Sequence, residues 1–230
     1  MVKRTAAGRL IGRYEELIPE ELQQALAEDA IVYLPMGAIE WHNTHLPLNT
    51  DSLIAEGLCL RLAAKGGGLV LATNPWATAC TTRDRGPYPF APALGTVALF
   101  DGDLHRRLLS AIARGVVDNG FKRLVILAGH VGLQDRESME AVVSEVNGGG
   151  KARALYIYPY LHTKGDHAGH WETLMLLGLR PELVRSGKAY VPYEAGWPLT
   201  GTESAEEGRR KIADLTEALW QDVRTTFGLT

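Results

Sequence analysis

Apolar strands alternating with helical stretches predict an α/β fold, a three-layer αβα sandwich around a mostly parallel central sheet. Three observations carry this expectation. The runs AIVYLPMG (30–37), LVLAT (69–73), RLVILAG (123–129) and ALYIYPY (154–160) are almost continuously apolar. A strand with one wet face alternates instead, so these strands are expected to be buried on both faces. Stretches of helical spacing lie between them, the order expected when helices cover both sides of a sheet. Finally, glutamate and histidine recur just past the strands, where ligands collect in such a sheet.

In chain order, residues 19–28 read as a short helix, with Pro19 tolerated in its first turn. The strand at 30–37 is β-branched and aromatic, and Pro and Gly end it. Residues 52–64 show helical spacing through Leu53, Ile54, Gly57, Leu58 and Leu62, and stop at Gly66-Gly67-Gly68. After the strand at 69–73, the segment 74–100 is rich in Pro, Gly, Thr and aromatics. A connection that long inside a compact domain is usually functional. An amphipathic helix at 103–119 ends at Gly120, and the strand at 123–129 leads into a helix at 133–147. The strand at 154–160 is followed by the polar HTKGDHAGHWET, a helix from about Trp171 and a terminal helix at 204–226. There is no repeat and no low-complexity linker, so the 230 residues read as one domain.

Composition narrows the function classes. A formal net charge of -3 supplies no broad basic field, so nucleic acid is not expected as a partner. Two cysteines, Cys59 and Cys80, are too few for a disulfide framework and read as small buried apolar residues. No apolar run approaches the roughly 20 residues of a membrane span. The opening MVKRTAAGRL is basic, but no signal-peptide core follows it, so a soluble, cytoplasmic protein is expected.

The chemistry concentrates in GAIEWHNTHLPLNTDSL. Glu40 and His42 are two residues apart, and in an extended segment they point to the same side. Asp51 adds two carboxylate oxygens, enough to bridge two cations, and His130 in VILAGHVG is the candidate fourth ligand. Each has a plainer reading: Asp51 as the cap of a helix beginning at Ser52, His130 as a polar residue in a turn, His45 as a surface or hydrogen-bonded histidine. Glu40, placed right after a buried strand, needs a metal or a strong hydrogen-bond partner. As a set, oxygen and nitrogen ligands without thiolate favour zinc, manganese or iron(II). A pair of ions roughly 3.5–4 Å apart would hold a bridging hydroxide for attack on a carbonyl carbon.

These residues also carry a resemblance. LPMGAIEWHNTHLPLNTDSLIAE resembles the creatininase family, whose members read LPxGSxEQHGPHLPLxTDxxIAE. GFKRLVILAGHVG is similar to the family's GFRRIxxxNGHGGN, GDHAGHWETLMLL to HAGxxETSLML, and TGTESAEEGRRKI to its ASAEKG segment. The resemblance implies that Glu40 binds a first metal and His42 a second, that Asp51 bridges them, and that His130 completes the first. It implies for His167 a general acid or base role, against the plainer reading of a loop histidine bonded to backbone. For Glu172 it implies a supporting carboxylate or, less directly, a ligand. Four departures stand out: Ala128 and Leu133 replace asparagines of the NGHGGN pattern, and Trp41 and Asn43 replace Gln and Gly. Members that act on creatinine place a metal-binding Glu where this chain has Gly132, so creatinine itself is not expected as substrate.

The expectation is a metal-dependent hydrolase holding two divalent ions per subunit, with a metal-bound hydroxide attacking a small cyclic amide or formamide-type substrate. Two alternatives remain: carbon–carbon hydrolysis that opens an oxidised inositol ring, and a non-catalytic member that binds a small molecule. Trp41, Trp76, Thr81, Arg83 and Trp197 are the candidate substrate contacts. Arg83 reads equally as a solvated loop residue, and Trp197 as a pocket wall or a subunit contact. The resemblance also implies a homo-oligomer, commonly a hexamer.

Overall fold

The computed structural model describes residues 3–78, 95–97, 99, 101–130, 132–163, 165–188 and 199–229. Among the described residues, six strands and six α-helices follow in the order β1 (Lys3–Arg4), β2 (Leu10–Arg13), α1 (Pro19–Ala27), β3 (Ile31–Met36), α2 (Thr50–Gly66) and β4 (Gly68–Val70), then α3 (Gly102–Asp118), β5 (Arg123–Ala128), α4 (Leu133–Gly148), β6 (Arg153–Ile157), α5 (His170–Leu179) and α6 (Ala205–Phe227). The sheet order is β1-β2-β4-β3-β5-β6, and every pairing is parallel except that of β1 with β2. Parallel neighbours need a crossover, and the helices supply it.

Alternation along the central strands divides the core in two. Val32, Leu34, Met36, Leu124, Ile126 and Ala128 face one layer, with Leu109 and Ala113 of α3 and Met139 and Val142 of α4. Ile31, Tyr33, Val125 and Leu127 face the other, with Leu58 and Leu62 of α2, Met175 of α5 and Leu215 and Leu219 of α6. This is the three-layer sandwich expected from the apolar runs. Burying a side chain of this size contributes about 1.5–3 kcal/mol.

The helix ends follow local chemistry. Asp101 caps α3 by accepting the Leu104 N–H at 3.0 Å. Ser204 caps α6 by accepting the Glu207 N–H at 3.1 Å, and α6 closes at Gly228 with φ 62°. Cys59 is fully buried, as a small apolar residue would be; Cys80 lies outside the described residues. The N-terminal strands β1 and β2 were not expected. They are short and glycine-broken, and only Leu10 among them is buried, so they carry no apolar run to read. Among the described residues no helix is long and apolar enough to cross a membrane.

The register places the site. Ile31 pairs with Arg123 and Met36 with Ala128, so β3 and β5 end level with each other. The N-terminus of α2 lies across both ends. A Cβ on Gly37 would sit 2.4 Å from the Ser52 backbone nitrogen, and one on Gly129 would sit 2.1 Å from the Asp51 carbonyl oxygen. Only glycine permits that approach, and it brings Asp51 to the exits of both strands.

Candidate metal centre

The chain leaves β3 through a tight loop closed by the Glu40 N–H donating to the Leu48 carbonyl at 2.8 Å. Within it Asn43 takes a left-handed φ of 59°. Asparagine tolerates that region, so Asn43 holds the turn where the resembled pattern has glycine. Asp51 then lies in the first turn of α2, and the N-cap position is Asn49. The capping reading of Asp51 is therefore corrected, because its carboxylate faces histidines.

Three histidines share one design. His42 puts Nδ1 against the Glu40 carbonyl at 3.0 Å, His130 puts Nε2 against the Thr78 carbonyl at 3.2 Å, and His167 puts Nε2 against the Trp41 carbonyl at 2.8 Å. A nitrogen facing a carbonyl must carry the proton, which leaves the other nitrogen to point inward. His42 Nε2 lies 3.0 Å from Asp51 Oδ1 and 3.6 Å from Glu172 Oε2. His130 Nδ1 lies 3.1 Å from both Asp51 Oδ2 and Glu40 Oε1, and His167 Nδ1 lies 3.3 Å from Glu40 Oε1. The His42 and His167 rings are 4.5 Å apart between centroids.

Among the described residues, three groups of side chains could each hold a metal ion: Glu40 with Asp51 and His130, His42 with Asp51 and Glu172, and Glu40 with His42 and His167. The first two groups share Asp51, each through a different oxygen. Hard carboxylate and borderline imidazole donors, set together in buried carboxylate–imidazole pairs, fit divalent transition ions. Gly132 offers no side chain where members that act on creatinine place a glutamate, and Glu172 stands with His42 and Asp51 in the second group.

The electrostatics agree with a site shaped for cations. Burial opposes charge on Asp51, but His42 and His130 hold its carboxyl far below the usual range. Burial likewise opposes the charge of His42, yet Asp51, Glu172 and Glu40 drive it up to about 10. Glu40 is held low against its burial, by His130 first and by His167. Glu172 is pushed upward by burial, with the negative Asp51 and Asp166 adding to it against His42. His167 is pushed down by burial and by His42.

Glu172 is fixed from several directions. The Tyr160 hydroxyl donates to Oε1 at 3.0 Å and the Ala168 N–H donates to Oε2 at 2.6 Å. Asp166 accepts the N–H groups of Trp171 and Glu172 at 2.6 and 3.1 Å, which caps α5. His45 is a hydrogen-bonded core histidine, 2.9 Å from Thr173 Oγ1. Tyr160, Asp166 and Asp135 were missed in the sequence, and Thr78 was read only as part of the 74–100 segment expected to set substrate choice. The one legible signal was Asp166, placed like a cap before the HWET helix. Of the candidate substrate contacts, Trp41 is half-buried beside the cluster and Trp76 is exposed. Thr81, Arg83 and Trp197 lie outside the described residues.

An αβα sandwich with convergent carboxylates and imidazoles at its strand exits defines the class of protein. The comparisons narrow it: a family model for Creatininase, creatinine amidohydrolase, matches residues 15–222. The chain belongs to the creatininase family of hydrolases. Creatinine amidohydrolase of Pseudomonas putida is 28% identical over 179 residues, covering 69% of this chain and 67% of that protein. Mycofactocin precursor peptide peptidase of Mycobacterium ulcerans (strain Agy99) is 29% identical over 155 residues, 66% of this chain and 60% of that protein. The match thus spans under two thirds of the peptidase. A crystal structure of creatinine amidohydrolase (creatininase) matches with TM-score 0.77 at 22% identity, over 94% of this chain and 98% of that one. Creatininase described with Mn matches at TM-score 0.75 and 22% identity, over 92% and 97%. A mutant of Zn-Zn type matches at 0.74 and 22%, over 92% and 96%. At that identity the likeness speaks for the fold.

Proposed function

We propose that this chain is a metal-dependent amidohydrolase acting on a small carbonyl compound, with a cyclic amide or formamide as the favoured substrate class. The observation that carries the reading is Asp51, whose two oxygens face His42 and His130 separately at 3.0 and 3.1 Å. Glu40, Asp51 and His130 would hold one divalent ion, and His42, Asp51 and Glu172 a second. Zinc, manganese and iron(II) all suit that donor set, and relatives in Mn and Zn-Zn forms support the first two. When bound, such ions polarise a carbonyl and acidify water. The chain's own part is to fix the ligands and move the proton. His167 donates its Nε2–H to the Trp41 carbonyl, so Nδ1 is the atom that exchanges protons. A pKa held below the ordinary histidine value leaves Nδ1 unprotonated at neutral pH. It can take a proton from attacking water and pass it to the leaving nitrogen.

Two relatives support C–N cleavage, since one is named an amidohydrolase and the other a peptide peptidase. Gly132, in place of a glutamate, argues against creatinine itself. The homo-oligomer, with six subunits the favoured number, is carried on the family resemblance and is read by sedimentation. The test is metal content per subunit in protein purified without chelator or affinity tag, beside Glu40→Ala. About two ions, reduced in the variant, support the reading and justify a screen of cyclic amides, formamides, peptides and an oxidised inositol. Carbon–carbon products from the inositol would move the assignment to that alternative. Failure to bind zinc, manganese or iron(II) after reconstitution would leave a non-catalytic binder.

A further inference from the structure

We propose that Asp135, in the first turn of α4, is a positioning residue that fixes His130 through Thr78; the inference rests on the metal reading above. Asp135 is 1% exposed, yet among the described residues no lysine or arginine pairs with it. A buried carboxylate is costly unless its lone pairs are satisfied. Asp135 meets that need through one neighbouring segment and its own helix entrance. Its Oδ1 accepts both the N–H and the Oγ1–H of Thr78, each at 2.7 Å, and its Oδ2 accepts the Gly132 N–H at 3.0 Å.

Both donor groups of Thr78 are thus committed to Asp135, while its carbonyl accepts the Nε2–H of His130 at 3.2 Å. His130 Nε2 is itself 3.7 Å from Asp135 Oδ2, outside hydrogen-bond range but within its field. The carboxylate therefore holds the residue that holds the imidazole. It also polarises a chain of hydrogen bonds that ends on a ligand nitrogen. The result is an imidazole locked with Nδ1 toward Glu40 and Asp51. The neighbouring Ala128 and Leu133 carry no polar side chain that could do this. His105 completes the enclosure: it is fully buried, its Nδ1 is 3.3 Å from Asp135 Oδ1, and neither ring nitrogen has a hydrogen bond among the described residues. The role is separate from catalysis, since Asp135 belongs to none of the metal-capable groups.

The test is Asp135→Asn, which keeps the shape but sets an NH2 group against the N–H of Gly132 or of Thr78. Zn2+ affinity is read by competition with a chromophoric chelator, Co2+ geometry by its absorption bands, and metal-free stability by thermal unfolding. Arg136→Gln, on the exposed side of the same turn, is the control. The expected result is a loss of Zn2+ affinity of about 10–100-fold with altered Co2+ bands, both absent in the control. Thr78→Val, which removes only the hydroxyl donor, should give a smaller loss in the same direction. It carries the test if Asp135→Asn does not fold. Wild type that binds no Zn2+ or Co2+ would overturn the metal reading and the proposal with it. Wild type that binds both, with variants of unchanged affinity and bands, would overturn the proposal alone. Variants that lose metal-free stability while keeping affinity and bands would reduce Asp135 to a structural residue and overturn it as well.

Discussion

At the scale of single residues, the site is arranged so that protons and metal ions compete for the same nitrogens. His42 is 0% exposed and surrounded by acids, which raises it to about 10 without metal. The folded value lies above the unfolded value near 6.5. Its stabilising charge is therefore fully present below about 6.5 and is lost as pH rises through about 10. A metal ion needs the unprotonated nitrogen, so binding at neutral pH must expel the proton. Calorimetry of Zn2+ binding in buffers of different ionisation enthalpy should show proton release, and affinity should tighten with pH up to about 10. A pH-independent affinity would mean that His42 is not a ligand. The sequence made the Glu40, His42, Asp51 and His130 set legible because three of them sit in one short motif. The alternative of Asp51 as a helix cap fell only when both its oxygens were seen to face imidazoles.

At the scale of elements, the site depends on how closely α2 crosses the ends of β3 and β5. Gly129 leaves no room for a methyl group, with the Asp51 carbonyl 2.1 Å from where its Cβ would be. The obstacle is backbone, which cannot swing aside as a side chain can. Gly129→Ala should destabilise the protein by about 1–3 kcal/mol or more in chemical denaturation, and weaken metal binding by moving Asp51. Unchanged stability would mean that the α2–β5 approach is looser than described. Apolar runs, caps and glycines made α2, α3, α4 and α6 readable to within a few residues. Strands β1 and β2 were not, because short strands of two and four residues gain their stability from pairing, β1 with β2 and β2 with β4, rather than from any pattern of their own.

At the scale of the whole molecule, the candidate ligands come from four places: the loop after β3, the start of α2, the turn after β5 and the start of α5. An ion held by residues from three of them binds the folded chain and scarcely the unfolded one. At one hundred times its dissociation constant it should add about 2.7 kcal/mol, or roughly 5–10 °C in unfolding temperature for a domain of this size. Differential scanning with chelator, with Zn2+ and with Mn2+ measures the shift, and Glu40→Ala should show less of it. Binding without any shift would place the ion where folding does not matter.

The fold class, most of the helices and three clustered candidate ligands, Glu40, His42 and Asp51, were already written in local pattern. Periodicity reports burial, and a short motif keeps its residues together whatever the rest of the chain does. Folding had to supply the rest, because it joins residues far apart in sequence. Glu172 reaches His42 only when α5 docks against α2, and nothing in HWET reports that distance. Asp135 reaches Thr78 only across the exits of neighbouring segments. A lone carboxylate in a helix reads as surface charge until packing removes the water around it and leaves hydrogen bonds as its only partners.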